Sequence, residues 1–596
     1  MKELAVLNKY FVKYRWRLLL GIFFVSLSNY FRVLQPQIIR EALDLVVENV
    51  GTYYLLEGFA VQGEFFAKLS KILLYFGGLV LLFALLMGIF MYFMRQTIIV
   101  VSRLIEYDMR KELFAHYEKL TTAFYKRNNT GDLMARISED VSKVRMYLGP
   151  AVLYGINLLS LFVLVIYSML QVNITLTLYS LAPLPILSIS IYYVSNLINR
   201  KSTAIQQQLA RLNSIAQEVY SGIRVVKSYV QEKATGKHFA AESDIYRGKS
   251  LELAKVDAFF HPLMLLLIGA STIITVYVGG VLMVRGDVTA GNIAEFVIYV
   301  NMLTWPVTAI GWIASIVQQA AASQKRINEF LNTEPEISNP VHDPISLQGE
   351  LAFENVSFTY PDTGIEALKD VSFTLKPGQK MAIIGRTGSG KSTLADLLVR
   401  MYDPTTGRIC IDGKDLRELD LANLRKRVGY VPQDIFLFSD TVANNIAFGR
   451  ADADQEMIEE FARHAAVYED IQGLTYGFKT LVGERGVTLS GGQKQRISIA
   501  RALIKEPDLI VLDDCLSAVD TNTEKQILGY FSGALADKTA IIITHRIYSL
   551  LQFDKIIVLE DGRIVEDGKH EELIAQKGYY ADLFEKQSLE EADTSS

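Results

Sequence analysis

Gly385-Arg386-Thr387-Gly388-Ser389-Gly390-Lys391-Ser392 has the makeup of a cradle for a polyphosphate. Glycines let consecutive backbone N–H groups close on phosphate oxygens, and a helix starting behind them adds its positive end. Lys391 supplies a point charge to the outer phosphates, and the hydroxyl of Ser392, followed by Thr393, suits Mg²⁺. Two further segments complete the set. Leu489-Ser490-Gly491-Gly492-Gln493 follows about a hundred residues later, and the apolar run Leu509-Ile510-Val511-Leu512 ends in two carboxylates, Asp513 and Asp514. Asp513, at a strand end, can hold Mg²⁺ directly or through water, and Asp514 stands where a catalytic base would sit. Each residue alone has a bland alternative, since an Asp ending a strand is usually a loop residue. Together, in this order, they describe a site that hydrolyses or senses ATP.

A phosphate loop works only between a strand and a helix. Residues 380–384 are an apolar strand candidate feeding the loop, and a helix is expected from Ser392. Residues 351–360 and 367–375 read as further strands of the same α/β domain, expected over 349–588 after a linker at 331–348 and before a polar tail at 589–596.

Residues 1–330 read differently. Runs such as 72–93 and 263–284 are uncharged for about 20 residues, the length of a membrane-spanning helix. Six spans are expected, over 16–37, 71–94, 151–170, 174–198, 259–284 and 293–318. Lys2, Lys9, Lys13, Arg15 and Arg17 precede the first span, whereas Glu41, Asp44, Glu48, Glu57 and Glu64 are read as a loop after it, so the chain starts on the cytoplasmic side. A cleaved secretory signal fits poorly, because the first apolar run has no small-residue cleavage site after it and five spans follow. Between spans two and three, and between four and five, lie charged stretches of about fifty and sixty residues with a helical pattern, too long for structureless loops. The expected arrangement is helices running on into the cytoplasm and meeting in short turns near Thr130-Gly131-Asp132 and Ser221-Gly222; independent cytoplasmic hairpins are the alternative.

Some classes are excluded. A formal charge of -5 without a sustained basic face argues against nucleic acid as a partner. Cys410 and Cys515 are the only cysteines and both lie in the α/β half, so a disulfide scaffold is excluded and both are read as reduced packing residues. Arg32 within the first span faces a cavity or snorkels, and His261 is read as an interfacial or packed imidazole. Pro183, Pro185 and Pro306 are expected to bend their helices.

With these motifs in order, the chain resembles a half-transporter of the ATP-binding cassette exporter family, in which a membrane domain of six extended helices is fused to a P-loop cassette. The likeness covers nearly the whole length. It rests on the phosphate loop, Tyr360, Val431-Pro432-Gln433-Asp434, the signature at 489–493, Ser517-Ala518-Val519-Asp520, Ile543-Thr544-His545-Arg546 and the exporter-type segment Thr480-Leu481-Val482-Gly483-Glu484-Arg485-Gly486. Gly131 to Arg136 and Glu218 to Tyr229 resemble the family's intracellular coupling regions. The resemblance implies that Tyr360 stacks on adenine, that Gln433 joins Ser392 and Asp513 around Mg²⁺, and that His545 acts near the γ-phosphate. It implies two cassettes sandwiching two ATP molecules, each between the phosphate loop of one and Ser490, Gly491, Gly492 and Gln493 of the other. It also implies a multi-pass protein of a bacterial inner membrane with a cytoplasmic cassette, exporting amphipathic, drug-like or lipid-like compounds by alternating access.

One residue departs from the pattern. The family carries Glu where this chain has Asp514, and the carboxylate is drawn back by one methylene. The implied partner is a second, different half-transporter that carries the Glu and an altered signature. A homodimeric lipid or drug flippase in which Asp works slowly is the alternative. An ATP-gated channel or regulatory membrane protein is the reading from another class.

Overall fold

The computed structural model describes residues 2–339, 347–483, 489–517, 519, 521–533, 537–546 and 553–594. Internal contacts divide the chain into two units, Met1–Tyr117 with Gly131–Thr333, and Glu118–Thr130 with Glu334–Ser596.

Among the described residues six helices are long and apolar enough to cross a membrane: Arg15–Leu55, Val61–Tyr117, Thr130–Val172, Ile174–Ser221, Glu232–Val284 and Ala290–Leu331. They run from 41 to 57 residues. At 1.5 Å per residue that is roughly 60–85 Å, twice the ~30 Å hydrocarbon core, so each extends well beyond a membrane. The charged stretches after spans two and four are thus largely helical. The acidic segment after the first span is a helix rather than a loop: Glu41, Asp44 and Glu48 belong to Arg15–Leu55, and the connection is only residues 56–60. Glu41, Ala42, Leu43 and Leu45 are good helix formers, and once the preceding apolar part has nucleated the helix each further residue adds a hydrogen bond at little cost.

Caps mark the turns between helices. Asn173 accepts from the N–H of Leu176, and Thr289 and Asn292 form a capping box at the last helix. Pro183 occupies a first-turn position, where its missing N–H costs nothing. Ser221-Gly222 ends one long helix, and a short helix, Ile223–Ser228, precedes the next, leaving Tyr220, Ile223, Val225 and Tyr229 exposed.

The first and last long helices are joined by a polar seam. The Tyr299 hydroxyl donates to the Val33 carbonyl at 3.1 Å and receives Gln37 Nε2 at 3.3 Å. Arg40 pairs with Glu295 at 3.1 Å, and Asp44 accepts from the Gly291 N–H and the Thr289 hydroxyl, each at 2.7 Å. Residues 33, 37, 40 and 44 recur at helical spacing, so all four residues fall on one face. A side chain at 291 would stand 2.5 Å from the Arg40 carbonyl oxygen, which is why glycine sits there.

The second unit holds two sheets. An antiparallel one runs Glu366–Leu375, Leu351–Thr359, Thr406–Ile411, Lys414–Asp415. A six-stranded one runs Arg563–Gly568, Lys555–Glu560, Lys380–Gly385, Thr539–Ile543, Leu509–Asp513, Val428–Val431, parallel except at its first pair. Strand Lys380–Gly385 is buried on both faces: Met381 and Ile383 enter one apolar cluster, Ala382 and Ile384 another. That two-sided burial is why these strands read as unbroken apolar runs. Ile383 pairs with Ile543, and Ile543 with Asp513, so these three residues of neighbouring strands stand on one level.

Glu118–Thr130 packs with this unit. Its short helix, Thr122–Arg127, places Ala123 in the cluster that contains Phe353, Leu394 and Leu398. Arg127 pairs with Glu336 and Asp362.

Candidate functional site

Ligands of parallel α/β sheets bind beyond the carboxyl ends of the strands. Here those ends deliver three segments to one place: the loop after Lys380–Gly385, Asp513-Asp514 after Leu509–Asp513, and Thr544-His545 after Thr539–Ile543. They border a cleft of about 550 Å³, within the range of small-molecule sites. Tyr360, Thr387, Gly388, Gly390, Lys391, Ser392, Thr393, Gln433, Asp513, Asp514 and His545 all line it. Gly385 and Ser389 belong to the loop without lining the cleft.

The glycines have specific work. Gly390 takes φ +103° and turns the loop into helix Lys391–Leu398; a Cβ there would meet the Ala367 carbonyl oxygen at 2.4 Å. Gly388 also lies in the left-handed region, with nothing within 4 Å of where its Cβ would be, so the loop backbone is open on that side. Lys391 is 7% exposed, and its Nζ donates to the carbonyls of Gly385 at 2.9 Å and Arg386 at 2.8 Å. Burial pulls its ammonium below the ordinary lysine range, against the opposing pull of Asp513 and Asp514. Ser389 Oγ is buried without a hydrogen-bond partner. A loop with open backbone, an unpartnered hydroxyl and a buried ammonium fits a polyphosphate.

The two carboxylates differ. Asp513 is 2% exposed, and burial, reinforced by Asp396 and Asp514, pushes it up to about 6, with the Ser392 hydroxyl and Lys391 opposing. A buried carboxylate bonded to a serine hydroxyl beside the phosphate loop fits a divalent cation: Ser392 and Asp513, with Gln433 of the same cleft, would hold Mg²⁺, which would supply charge neutralisation of the outer phosphates. Asp514 has φ +48°, a conformation that Asp adopts more readily than most residues. Its carboxyl is also raised by burial, against the pull of His545, Lys391 and Arg546. Burial and Lys391 hold His545 toward its neutral form, against Asp514. Arg546 is anchored to the Ser517 and Val519 carbonyls and to Glu524.

Tyr360 is held from several sides. Its hydroxyl lies 2.9 Å from Thr393 Oγ1, and its ring meets Phe358 and Tyr402 edge-on. Ser490, Gly491, Gly492 and Gln493 do not line this cleft. They open helix Gly491–Leu503 through a capping box between Ser490 and Gln493, with Ser490 and Gly491 exposed. Gln493 donates to Asp470 at 3.1 Å, and Arg496 pairs with Asp470 at 3.0 Å. Of the further motif residues, Glu484 to Gly486, Ala518 and Asp520 lie outside the described residues.

Sequence reasoning missed three participants. Asp396, raised by burial, accepts from the Tyr430 hydroxyl at 3.1 Å behind the phosphate loop. Lys369 borders the cleft, and Asp470 fixes the signature helix. Only Asp396, five residues after Lys391, had a sequence signal, as the lone carboxylate of helix Lys391–Leu398, set among Leu394, Ala395, Leu397 and Leu398.

The chain matches the family model described as ABC transporter transmembrane region over residues 18–307 and that described as ABC transporter over 368–517. It is 35% identical over 591 residues, 98% of each chain, to the probable multidrug resistance ABC transporter ATP-binding/permease protein YheI of Bacillus subtilis (strain 168). The chain belongs to the ABC transporter family. Another relative of this ABC transporter is the ATP-dependent lipid A-core flippase of Pseudomonas fluorescens (strain Pf0-1), 37% identical over 85% of this chain and 84% of that protein. Among solved structures, a bacterial Atm1-family ABC exporter with ATP bound superposes with a TM-score of 0.75 at 27% identity, covering 96% of this chain and 99% of that one. The transporter is therefore an exporter-type half-transporter: a multi-pass transmembrane region and an ATPase cassette on one chain, coupling ATP hydrolysis to transport.

Proposed function

We propose that this chain is one half of a heterodimeric exporter of amphipathic, drug-like or lipid-like compounds, and that the nucleotide site built on its own phosphate loop hydrolyses slowly. Asp514 carries this reading. Lys391, Ser392, Gln433, Asp513 and His545 line the same cleft, so the shortened carboxylate is the one departure among them. Phosphoryl transfer depends on positioning and charge stabilisation, and a misplacement near 1 Å costs about 10²-fold.

In this reading Tyr360 stacks on the base, Lys391 and the loop amides hold the phosphates, and Ser392, Gln433 and Asp513 hold Mg²⁺. Asp514 orients the attacking water, and His545 steadies the γ-phosphate. Ser490 to Gln493 serve the partner's nucleotide; their exposure at a helix N-terminus, away from this chain's own cleft, supports that assignment. ATP binding draws two cassettes together and switches the membrane cavity outward, which requires tighter binding of ATP to the closed state. The names of the relatives, a multidrug resistance transporter and a lipid A-core flippase, support an amphipathic cargo. The basic N-terminus supports a cytoplasmic cassette at a bacterial inner membrane.

The test is ATPase activity of this chain purified alone and co-purified with a second half-transporter that carries the Glu. Turnover only in the pair is expected; robust turnover by the single chain overturns the heterodimer and favours a homodimeric flippase.

A further inference from the structure

The base-stacking reading of Tyr360 leaves a question of what holds the ring. Thr393 and Phe358 come from the cassette sequence itself, but a cation comes from elsewhere. Lys126, on the helix Thr122–Arg127, places its Nζ 5.3 Å from the centroid of the Tyr360 ring and 5.3 Å from that of Tyr402. The two rings stand 5.6 Å apart at 85° to each other, so one ammonium faces both π-systems. Tyr360 lines the nucleotide cleft, and Lys126 is not among the residues that line it.

The helix that carries Lys126 is pinned at several points. Ala123 is fully buried in the cassette core, Thr122 Oγ1 lies 3.6 Å from Met401 Sδ, and Arg127 pairs with Glu336 and Asp362, two residues beyond Tyr360. Lys126 therefore projects from a fixed base. A cation against one face of an aromatic ring is attracted by its quadrupole and draws electron density away from the opposite face. A ring polarised in this way is better suited to stack on an electron-rich purine, and it loses freedom before the base arrives.

We propose that Lys126 is a positioning residue for the nucleotide base: lodged against the rings of Tyr360 and Tyr402, it holds the Tyr360 ring in the orientation on which the base stacks. The proposal rests on the reading of Tyr360 as the base platform. It gives a residue encoded between two spanning helices a share in nucleotide affinity.

The experiment uses the full transporter in lipid nanodiscs, with labelling of this chain by a photoreactive ATP analogue and unlabelled ATP or inorganic tripolyphosphate as competitor. Lys126→Met raises the ATP concentration for half-displacement about two- to fivefold, the range for a partly exposed cation–π contact. Lys126→Arg restores it, and tripolyphosphate, which has no base, competes equally well with all three proteins. On a Tyr360→Ala background Lys126→Met adds no further loss. Equal losses for ATP and tripolyphosphate, or a full additional loss on that background, would mean that Lys126 merely docks its helix and overturn the proposal. A loss in Tyr360→Ala with none in Lys126→Met overturns it alone, whereas unchanged ATP affinity in Tyr360→Ala removes the platform and the proposal together. Thermal melting of each variant separates these outcomes from misfolding.

Discussion

The backbone N–H of Asp514 donates to the carbonyl oxygen of Ile543 at 2.9 Å. Ile543 is itself paired in register with Asp513 and Ile383, so the point at which the second carboxylate leaves the sheet is set by three strands. Sliding the backbone forward to make up for the missing methylene would break these pairings.

Asp514→Glu restores the length of the carboxylate, yet raises turnover of the paired complex by much less than the roughly hundredfold that repositioning alone would return, because the contacts from an altered partner signature remain absent. Replacing the partner's catalytic Glu by Gln stops turnover. ATPase assays of both variants in the co-purified complex check this, and strong activation by Asp514→Glu points instead to a homodimer.

Lys391→Ala removes the ammonium that is buried within the phosphate loop. Occupancy of this chain's site falls by roughly tenfold or more, the worth of a charge-assisted contact. Photoaffinity labelling of this chain reads it directly; unchanged labelling contradicts the assignment of the loop.

Gly491→Asp places a carboxylate at the exposed start of helix Gly491–Leu503. Against a γ-phosphate bound across the dimer it repels, and turnover of the pair drops by about 10²-fold or more while this chain's phosphate loop stays intact. Near-normal ATPase from this variant with a wild-type partner removes the crossed-site arrangement.

Asp513 takes up its proton at about 6 in the fold, above the ordinary carboxylate range, chiefly because it is buried. The stability it contributes to the nucleotide-free cassette is therefore present in acid and lost as pH rises through about 6. A divalent cation needs the ionised form, so the sign reverses for binding: Mg²⁺-ATP affinity weakens as pH falls through that value. Half-saturation measured from pH 5 to 7.5 shows the weakening in the wild type, and Asp513→Asn, already weak, shows a flat profile.

Arg40→Met strands the fully buried Glu295 side chain without its guanidinium. Breaking a buried pair from one side costs about 3–5 kcal/mol, whereas removing both charges is far milder. The apparent melting temperature in detergent thus falls in the single variant and recovers most of the way in Arg40→Met/Glu295→Met.

The parts legible in the sequence are those whose physics is local. The phosphate loop, Asp513 and strand 380–384 declare themselves because phosphate binding needs consecutive backbone amides between a strand and a helix, and the spans because a bilayer demands unbroken apolar length. The helical extensions were partly hidden: residues 41–48 carry three carboxylates among apolar residues, and acidity alone reads as loop. The seam of Gln37, Arg40 and Asp44 with Gly291, Glu295 and Tyr299 joins positions some 250 residues apart, and a polar residue read singly carries no record of its partner. The same holds for Lys126, whose neighbours Tyr360 and Tyr402 follow more than two hundred residues later.

That distance also has a meaning during synthesis. Ala123 belongs to the apolar cluster that includes Leu347, Phe353 and Leu394, yet it leaves the ribosome some 220 residues before the first of them. At 5–20 residues per second the short helix waits roughly ten to forty-five seconds for the core that receives it. A cassette expressed from residue 334 onward lacks that helix altogether, and the socket for Ala123 is left facing water. The helix 122–127 is in this sense a piece of the cassette core that is made with the membrane half: the apolar cluster is complete only when both stretches of the chain are present.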